Sequence, residues 1–214
     1  MAAPSYRPRL SFLVQNIARP GTISSDISRP AHLKSRTGKA APQPRHRGRI
    51  GTLTLEQIKC LPVSEIAAKQ SHLYLWVPNA LILEGFEVMR RWGFTYKTNI
   101  VWHKIRKDGG PDGRGVGFYF RNVTELILFG TRGSLRTAAP GRRQVNFLAT
   151  RKREHSRKPD EIYPIIESCS YGPFLEMFAR HSRPGWESWG NEVDSSSVSR
   201  TDRAQQALFN PMYL

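Results

Sequence analysis

The chain has only two cysteines among its 214 residues, Cys60 and Cys169, and they stand far apart. Two isolated thiols exclude a disulfide framework and give no metal-ligand spacing; they fit a reducing cytoplasm. No apolar run approaches the roughly 18 residues of a membrane span, so no membrane partner is expected. The N-terminus lacks the long apolar core of a secretory signal. There is no Gly-Lys-Ser/Thr loop to cradle phosphate, no Ser/His/Asp nucleophile arrangement and no paired Cys or His to hold a metal. Acids are also scarce. Against 33 Lys+Arg stand 17 Asp+Glu, a net charge of +16. Such an excess points to a polyanionic partner, of which nucleic acid is the commonest. The plainer alternative is charge that only keeps the chain in solution.

What is present divides into three zones. Residues 1–50 carry ten Lys/Arg and one acid, Asp26, with SFLV at 11–14 as their only apolar run. A segment of this composition rarely folds alone. Residues 51–193 have globular patterning, and one domain is the default for a chain of this length. Residues 194–214 begin DSSSVSRTDRAQQ and read as a solvated tail.

Helices and strands alternate in the middle zone. Thr54 is a plausible cap for a short helix that Pro62 ends. SHLYLWV (71–77) reads as a buried strand. ALILEGFEVMRRWGF sets Leu83, Phe86, Met89 and Trp92 at helical spacing, with Gly93 as a stop. YKTNIVWHK (96–104) is a second strand. Five glycines between 109 and 117 make the next stretch a flexible loop. TELILFG (124–130) is a third strand, and residues 131–153 are a basic loop. KPDEIYPIIESC is a helix with Pro159 in its first turn, and Pro164 should kink it or delay its start. FLEMFAR (174–180) is a fourth strand. This order predicts an α/β layered domain with ligands at the carboxyl ends of the strands.

Several residues could carry chemistry. Glu176 is a charge inside an apolar strand. It reads as an outward-facing position or as an acid that accepts hydrogen bonds from a ribose. Arg180, ending that strand, is a solvated cation or a ligand contact. Gly190-Asn191-Glu192 offers a turn with an amide and a carboxylate, suited to an adenine edge or a ribose. Trp76 is core, or the wall of a pocket for a planar base. Lys104 and Arg106 precede the Gly-rich loop and could touch phosphate.

Taken in order, the segments TLTLEQIKCLPV, SHLYLWVPNALILEGFEVMRRWGFTYKTNIVWHK, GGPDGRGVGFYFRNVTELILFGTRG, REHSRKPDEIY and WESWGNE resemble the MT-A70 family, most of all its bacterial and phage members. These are S-adenosylmethionine-dependent methyltransferases of the exocyclic amine of adenine in DNA or RNA. The resemblance runs from RTGKAAP (36–42) to WGNE (189–192). It implies a Rossmann-like methyltransferase sheet with helices on both faces, over residues 36–193. By carry-over, Lys158, Glu176, Phe178, Arg180, Asn191 and Glu192 bind S-adenosylmethionine. Trp76, Lys104, Arg106, Arg121, Arg142, Arg143, Arg151 and Arg153 face nucleic acid. A homodimer, or a heterodimer with a related methyltransferase subunit, is implied as well.

The departure from the family lies at the chemistry. The adenine amine is a poor nucleophile because its lone pair is conjugated into the ring. In the family an Asp-Pro-Pro-Trp tetrapeptide accepts its hydrogens and stacks on the base, aiming the nitrogen at the methyl donor. Counting back from Arg36 places the motif at 28–31, where this chain has Ser28-Arg29-Pro30-Ala31. The apolar strand that leads into the motif is also not apparent, and residues 1–35 are expected to pack poorly. A reading-frame shift upstream of about residue 32 accounts for both. The expected function is therefore adenine-N(6) methyl transfer, impaired in this copy. The alternatives are an inactive methyltransferase-like subunit that binds nucleic acid or a partner, and a plain basic binding protein.

Overall fold

The computed structural model describes residues 11–14, by backbone alone, together with 53–112, 116–117, 119–151 and 157–190. Seven strands form one sheet: β1 (Ser11–Val14), β2 (Ser71–Val77), β3 (Thr95–Ile105), β4 (Thr124–Arg132), β5 (Phe147–Arg151), β6 (Phe174–Met177) and β7 (Trp186–Trp189). Their order is β5-β3-β4-β2-β1-β6-β7. β1 lies parallel to β2 and β6, and β6 parallel to β7. β4 runs antiparallel to both β2 and β3. The reason lies in the connection: β3 and β4 are joined by a Gly-rich loop with no crossover helix, so the chain must return antiparallel.

Among the described residues four α-helices cover the sheet: α1 (Leu55–Lys59), α2 (Val63–Ile66), α3 (Ile82–Arg91) and α4 (Ile162–Cys169). Thr54 caps α1 through a reciprocal pair with Gln57. Pro62 separates α1 from α2. α4 starts late, at Ile162, which places Pro164 in its first turn, where no backbone donor is lost to the helix. Gly93, at φ +80°, ends the turn after α3 as expected. Alternation along β2 splits the core in two. Leu73, Leu75 and Val77 pack with α1, α2 and α3, while Tyr74 and Trp76 face α4. Both faces are therefore covered, which explains why all seven β2 residues are buried. Gly85 is needed where α3 meets the sheet, because a Cβ there would lie 2.9 Å from Val77.

Four expectations need correction. Leu83 is 76% exposed, so the buried stripe of α3 runs through Gly85, Val88 and Met89. The basic loop 131–153 contains a 3-10 turn at Pro140–Arg143 and the edge strand β5. WESW, to which the sequence assigned no strand, forms β7. Most consequentially, Ser11–Val14 is the central strand β1, hydrogen-bonded on both sides. The apolar strand thought to be missing is present in SFLV, because a four-residue strand suffices where neighbours supply hydrogen bonds on each edge. A frame shift covering all residues up to 32 does not fit that placement. The rest of 1–35, the 28–31 position and the tail 194–214 lie outside the described residues.

Candidate functional site

β1 and β6 lie side by side inside the sheet, and the chain leaves them toward opposite edges. That makes the crevice at their carboxyl ends the switch point where open α/β sheets bind ligands. A cavity of about 230 Å³ opens there, lined by Arg157, Lys158, Asp160, Tyr163, Glu176 and Arg180, together with the turn 181–184. The sequence placed Lys158, Glu176 and Arg180 at one site, and the structure brings them to this one cavity. Phe178 is not part of its lining. It sits at φ +59°, a backbone conformation that costs a bulky residue roughly 1–2 kcal/mol. Its ring turns toward Trp189, 5.1 Å away, on the α1–α3 side. That reversal ends β6 and sends Ala179 and Arg180 back past β7, where the Ala179 N–H donates to the Trp189 carbonyl at 2.9 Å. Gly190 is required at this crossing, since a Cβ would meet the Ala179 carbonyl at 2.1 Å. Asn191 and Glu192, which follow it, lie outside the described residues, as does Arg153.

Glu176 is 1% exposed, so it is neither at an edge nor facing outward. The Tyr163 hydroxyl donates to it, 3.0 and 3.1 Å from the two carboxylate oxygens. Burial pushes the carboxyl up to about 7, with Tyr163 and Arg183 opposing the shift. Across the mouth, Asp160 accepts from Arg157 at 3.0 Å and Arg183 at 3.2 Å. The Arg183 guanidinium lies 3.7 Å from the centre of the Tyr163 ring. The cavity thus joins a buried acceptor to a rim of cations, a lining that suits a zwitterionic ligand bearing hydroxyls.

A second buried cluster adjoins it, and the sequence did not single out its centre, Glu125. One Glu125 oxygen accepts from Lys104 Nζ at 2.6 Å; the other accepts from Trp76 Nε1 at 2.6 Å and from Lys158 Nζ. Burial pushes this carboxyl up, but the two lysines outweigh it and hold it below the ordinary value. Burial likewise lowers the Lys158 ammonium against the pull of Glu125. Trp76 is fully buried, with Lys158 Nζ 4.7 Å over its ring and Trp102 edge-on at 5.3 Å. It is core and cannot stack on a base as it stands. Lys104 is tied to Glu125 rather than offered to phosphate. Arg106 is exposed but paired with Asp108 at 2.8 Å. Arg121, Arg142, Arg143 and Arg151 are exposed. Among the described residues no group of three or more His, Cys, Asp or Glu could hold a metal, and no helix is long and apolar enough to cross a membrane.

Comparison with known proteins agrees with this architecture. The MT-A70 family model matches residues 33–192. A putative N(6)-adenosine-methyltransferase MT-A70-like protein of Medicago truncatula is 31% identical over 76% of this chain and 26% of its own length. The type II methyltransferase M.MunI of a Mycoplasma species is 26% identical over 69% of this chain and 61% of its own. The METTL14 non-catalytic subunit of Drosophila melanogaster is 30% identical over 67% and 40%, respectively. The chain thus spans less than two thirds of each of these relatives. The match covers three-quarters of the sequence and includes every described residue of the cavity, and on that ground the chain belongs to the MT-A70 methyltransferase family.

Proposed function

We propose that the cavity at the end of β6 binds S-adenosylmethionine and that the domain serves adenine-N(6) methylation of nucleic acid. The observation that carries this reading is Glu176, a buried acceptor at the sheet's switch point with cationic side chains beside it. The donor set fits the cofactor's chemistry. Glu176 would accept from ribose hydroxyls, and Arg180 with Lys158 would meet the carboxylate of the amino-acid portion. When bound, the cofactor supplies an electrophilic methyl group on its sulfonium. The protein's part is to hold it, exclude water and present the adenine amine to it.

That last task lacks its usual residues. No Asp-Pro-Pro-Trp stands anywhere in the sequence. Because β1 ends at Val14, the tetrapeptide's place is the stretch directly after that strand, earlier than 28–31. With no acceptor for the amine hydrogens, methyl transfer is impaired while cofactor binding persists. The second reading, a non-catalytic subunit that works with an active partner, gains weight from the same absence and from the likeness to a METTL14 protein named as non-catalytic. Nucleic acid would be held by the exposed Arg121, Arg142, Arg143 and Arg151, with exposed Tyr119 and Phe120 beside Arg121 for stacking. Calorimetric titration with S-adenosylmethionine, run beside transfer of labelled methyl to adenine-containing DNA and RNA, tests both readings. Binding without turnover is expected. Turnover by the chain alone would refute impairment, and absence of binding would refute the cofactor assignment.

A further inference from the structure

We infer that Tyr163 is a positioning residue: its hydroxyl fixes the direction of the Glu176 carboxylate in the cavity and favours its ionised form, and Arg183 fixes Tyr163. This deepens the cofactor reading and rests on it for the identity of the ligand. The geometry is specific. The Tyr163 oxygen is nearly equidistant from the two carboxylate oxygens, so it sits close to the bisector of the carboxylate. From there it engages one lone pair of each oxygen. The ring is held on three sides. Arg183 lies on its face, Trp186 meets it edge-on at 5.1 Å, and helix α4 carries its backbone. Arg183 is itself tethered to Asp160. The carboxylate therefore does not choose its own direction.

The neighbours of Glu176 make that hold matter. From the turn before α4, Asp160 faces it with like charge; from the turn after β6, Arg183 faces it with opposite charge. From β7 it meets Ser188, its register partner. Phe174 and Trp186, the preceding same-face pair, stack at 4.8 Å, so Glu176 and Ser188 point to the same side of the sheet. The Ser188 hydroxyl is buried without a hydrogen-bond partner among the described residues, so it gives the carboxylate no support in this arrangement. Tyr163 and Arg183 oppose the effect of its burial, and removing the hydroxyl should shift Glu176 further toward the protonated form at neutral pH.

The test is Tyr163→Phe, which keeps the ring and its packing, with Glu176→Gln as reference. In the cofactor-free protein the Glu176 carboxyl is followed by carbon NMR of glutamate-labelled protein, its signal assigned by its loss in Glu176→Gln. In Tyr163→Phe its midpoint should rise by about one pH unit, the scale for one lost hydrogen bond to a carboxylate. S-adenosylmethionine affinity should fall about fivefold at pH 7 and recover toward the parent value by pH 9, where the carboxylate is ionised again. Affinity in Glu176→Gln should be low at both pH values. An unmoved midpoint in a folded Tyr163→Phe protein overturns the inference. A lowered affinity that does not recover at high pH overturns it too, since mere distortion of the pocket gives that result. A shifted midpoint with no cofactor binding in any variant would instead uphold the hold on Glu176 and sink the cofactor reading.

Discussion

Two glutamates, Glu176 fully buried and Glu125 half-buried, sit on the α4 side of the same sheet and are treated in opposite ways. Glu125, in β4, meets two lysines and an indole N–H, and its carboxyl is held below the ordinary value. Glu176, in β6, meets a phenol, and its carboxyl is pushed up to about 7. Burial acts in the same direction on both, so the difference is the company each keeps. Glu125 has its charge matched within the protein, which is how a structural ion pair is built. Glu176 has its direction fixed while its charge is only partly matched, which is how an acceptor is prepared for a ligand. Lys158 ties the two together, since it pairs with Glu125 while lining the cavity of Glu176.

The largest expected effect breaks the ion pair. Glu125→Leu strands the Lys158 ammonium, whose side chain is only 6% exposed, and leaves the Trp76 N–H without its acceptor. Removing one partner of a buried pair costs about 3–5 kcal/mol, and the partial exposure of Glu125 argues for about 3. Near pH 5, where the parent carboxyl is protonated, Glu176→Gln should change stability by less than about 1 kcal/mol, yet at neutral pH it should abolish most cofactor affinity. Urea midpoints and cofactor titration on both variants test the contrast. Equal costs to stability would erase the distinction between a structural and a poised carboxylate.

The next effect is a pH slope. The unfolded Glu176 sheds its proton near 4.5, whereas the folded carboxyl keeps it to about 7. The folded state therefore binds more protons between those values, and stability should fall as pH rises from 4.5 to 7, by on the order of 2–3 kcal/mol. His72 works the other way. It is buried between Ser170 and the Leu135 carbonyl, and burial lowers its pKa below 6.5. Below pH 6.5 the unfolded chain takes a proton there that the folded one resists, so this contribution grows as pH rises toward 6.5. The two partly cancel in the parent protein. The difference between the parent and Glu176→Gln, measured by urea unfolding at half-unit steps from pH 5 to 8, isolates the first. A difference that does not change with pH would mean that Glu176 titrates near its unfolded value.

The contrast between the two glutamates also marks what the sequence could disclose. Glu176 stood out because it is a charge in the short apolar run FLEM, and Lys158 and Arg180 came with it through the family order. Glu125 did not stand out. Its lysines lie 21 and 33 residues away, so no local pattern marks the cluster. Strands β2, β3, β4 and β6 were legible because each is an apolar run bounded by turns. β5 was hidden by arginines, with only Thr150 well buried in FLATR, and β7 by the polar pair between its tryptophans. β1 was hidden by its brevity and by the Arg- and Pro-rich chain around it. The antiparallel course of β4 was written in the missing crossover helix, and was overlooked because helix–strand alternation elsewhere suggested parallel pairing.

A smaller effect sharpens the ligand side. Arg180 lines the cavity, and Arg180→Ala should weaken S-adenosylmethionine binding by about 1–3 kcal/mol, the scale of one charge-assisted contact, with little change in the urea midpoint. Calorimetry at a fixed pH of 8 keeps Glu176 largely ionised, so the loss reports on Arg180 alone. Unchanged affinity would remove Arg180 from the site and leave Lys158 to carry the cation's role.

The smallest effect on the fold is expected far from both glutamates. Arg142, Arg143 and Arg151 are exposed, and among the described residues none of the three has an ion-pair partner. Arg142 donates a 3.2 Å hydrogen bond to the Thr137 carbonyl. Replacing these three and Arg153 by Ala should shift stability by less than about 0.5 kcal/mol per site, as surface changes usually do. Binding of nucleic acid should respond differently. Each phosphate contact releases condensed counterions, so affinity falls with salt at a slope of about 0.9 per contact on duplex DNA. The four-fold variant should bind all sequences more weakly by a similar factor and show a slope shallower by up to about 3–4. Fluorescence anisotropy with DNA and RNA at several salt concentrations measures this directly. A weaker affinity with an unchanged slope would mean that these arginines shape the loop rather than touch phosphate. An unchanged affinity would move the nucleic-acid face to the other basic loop, around Arg106 and Arg121.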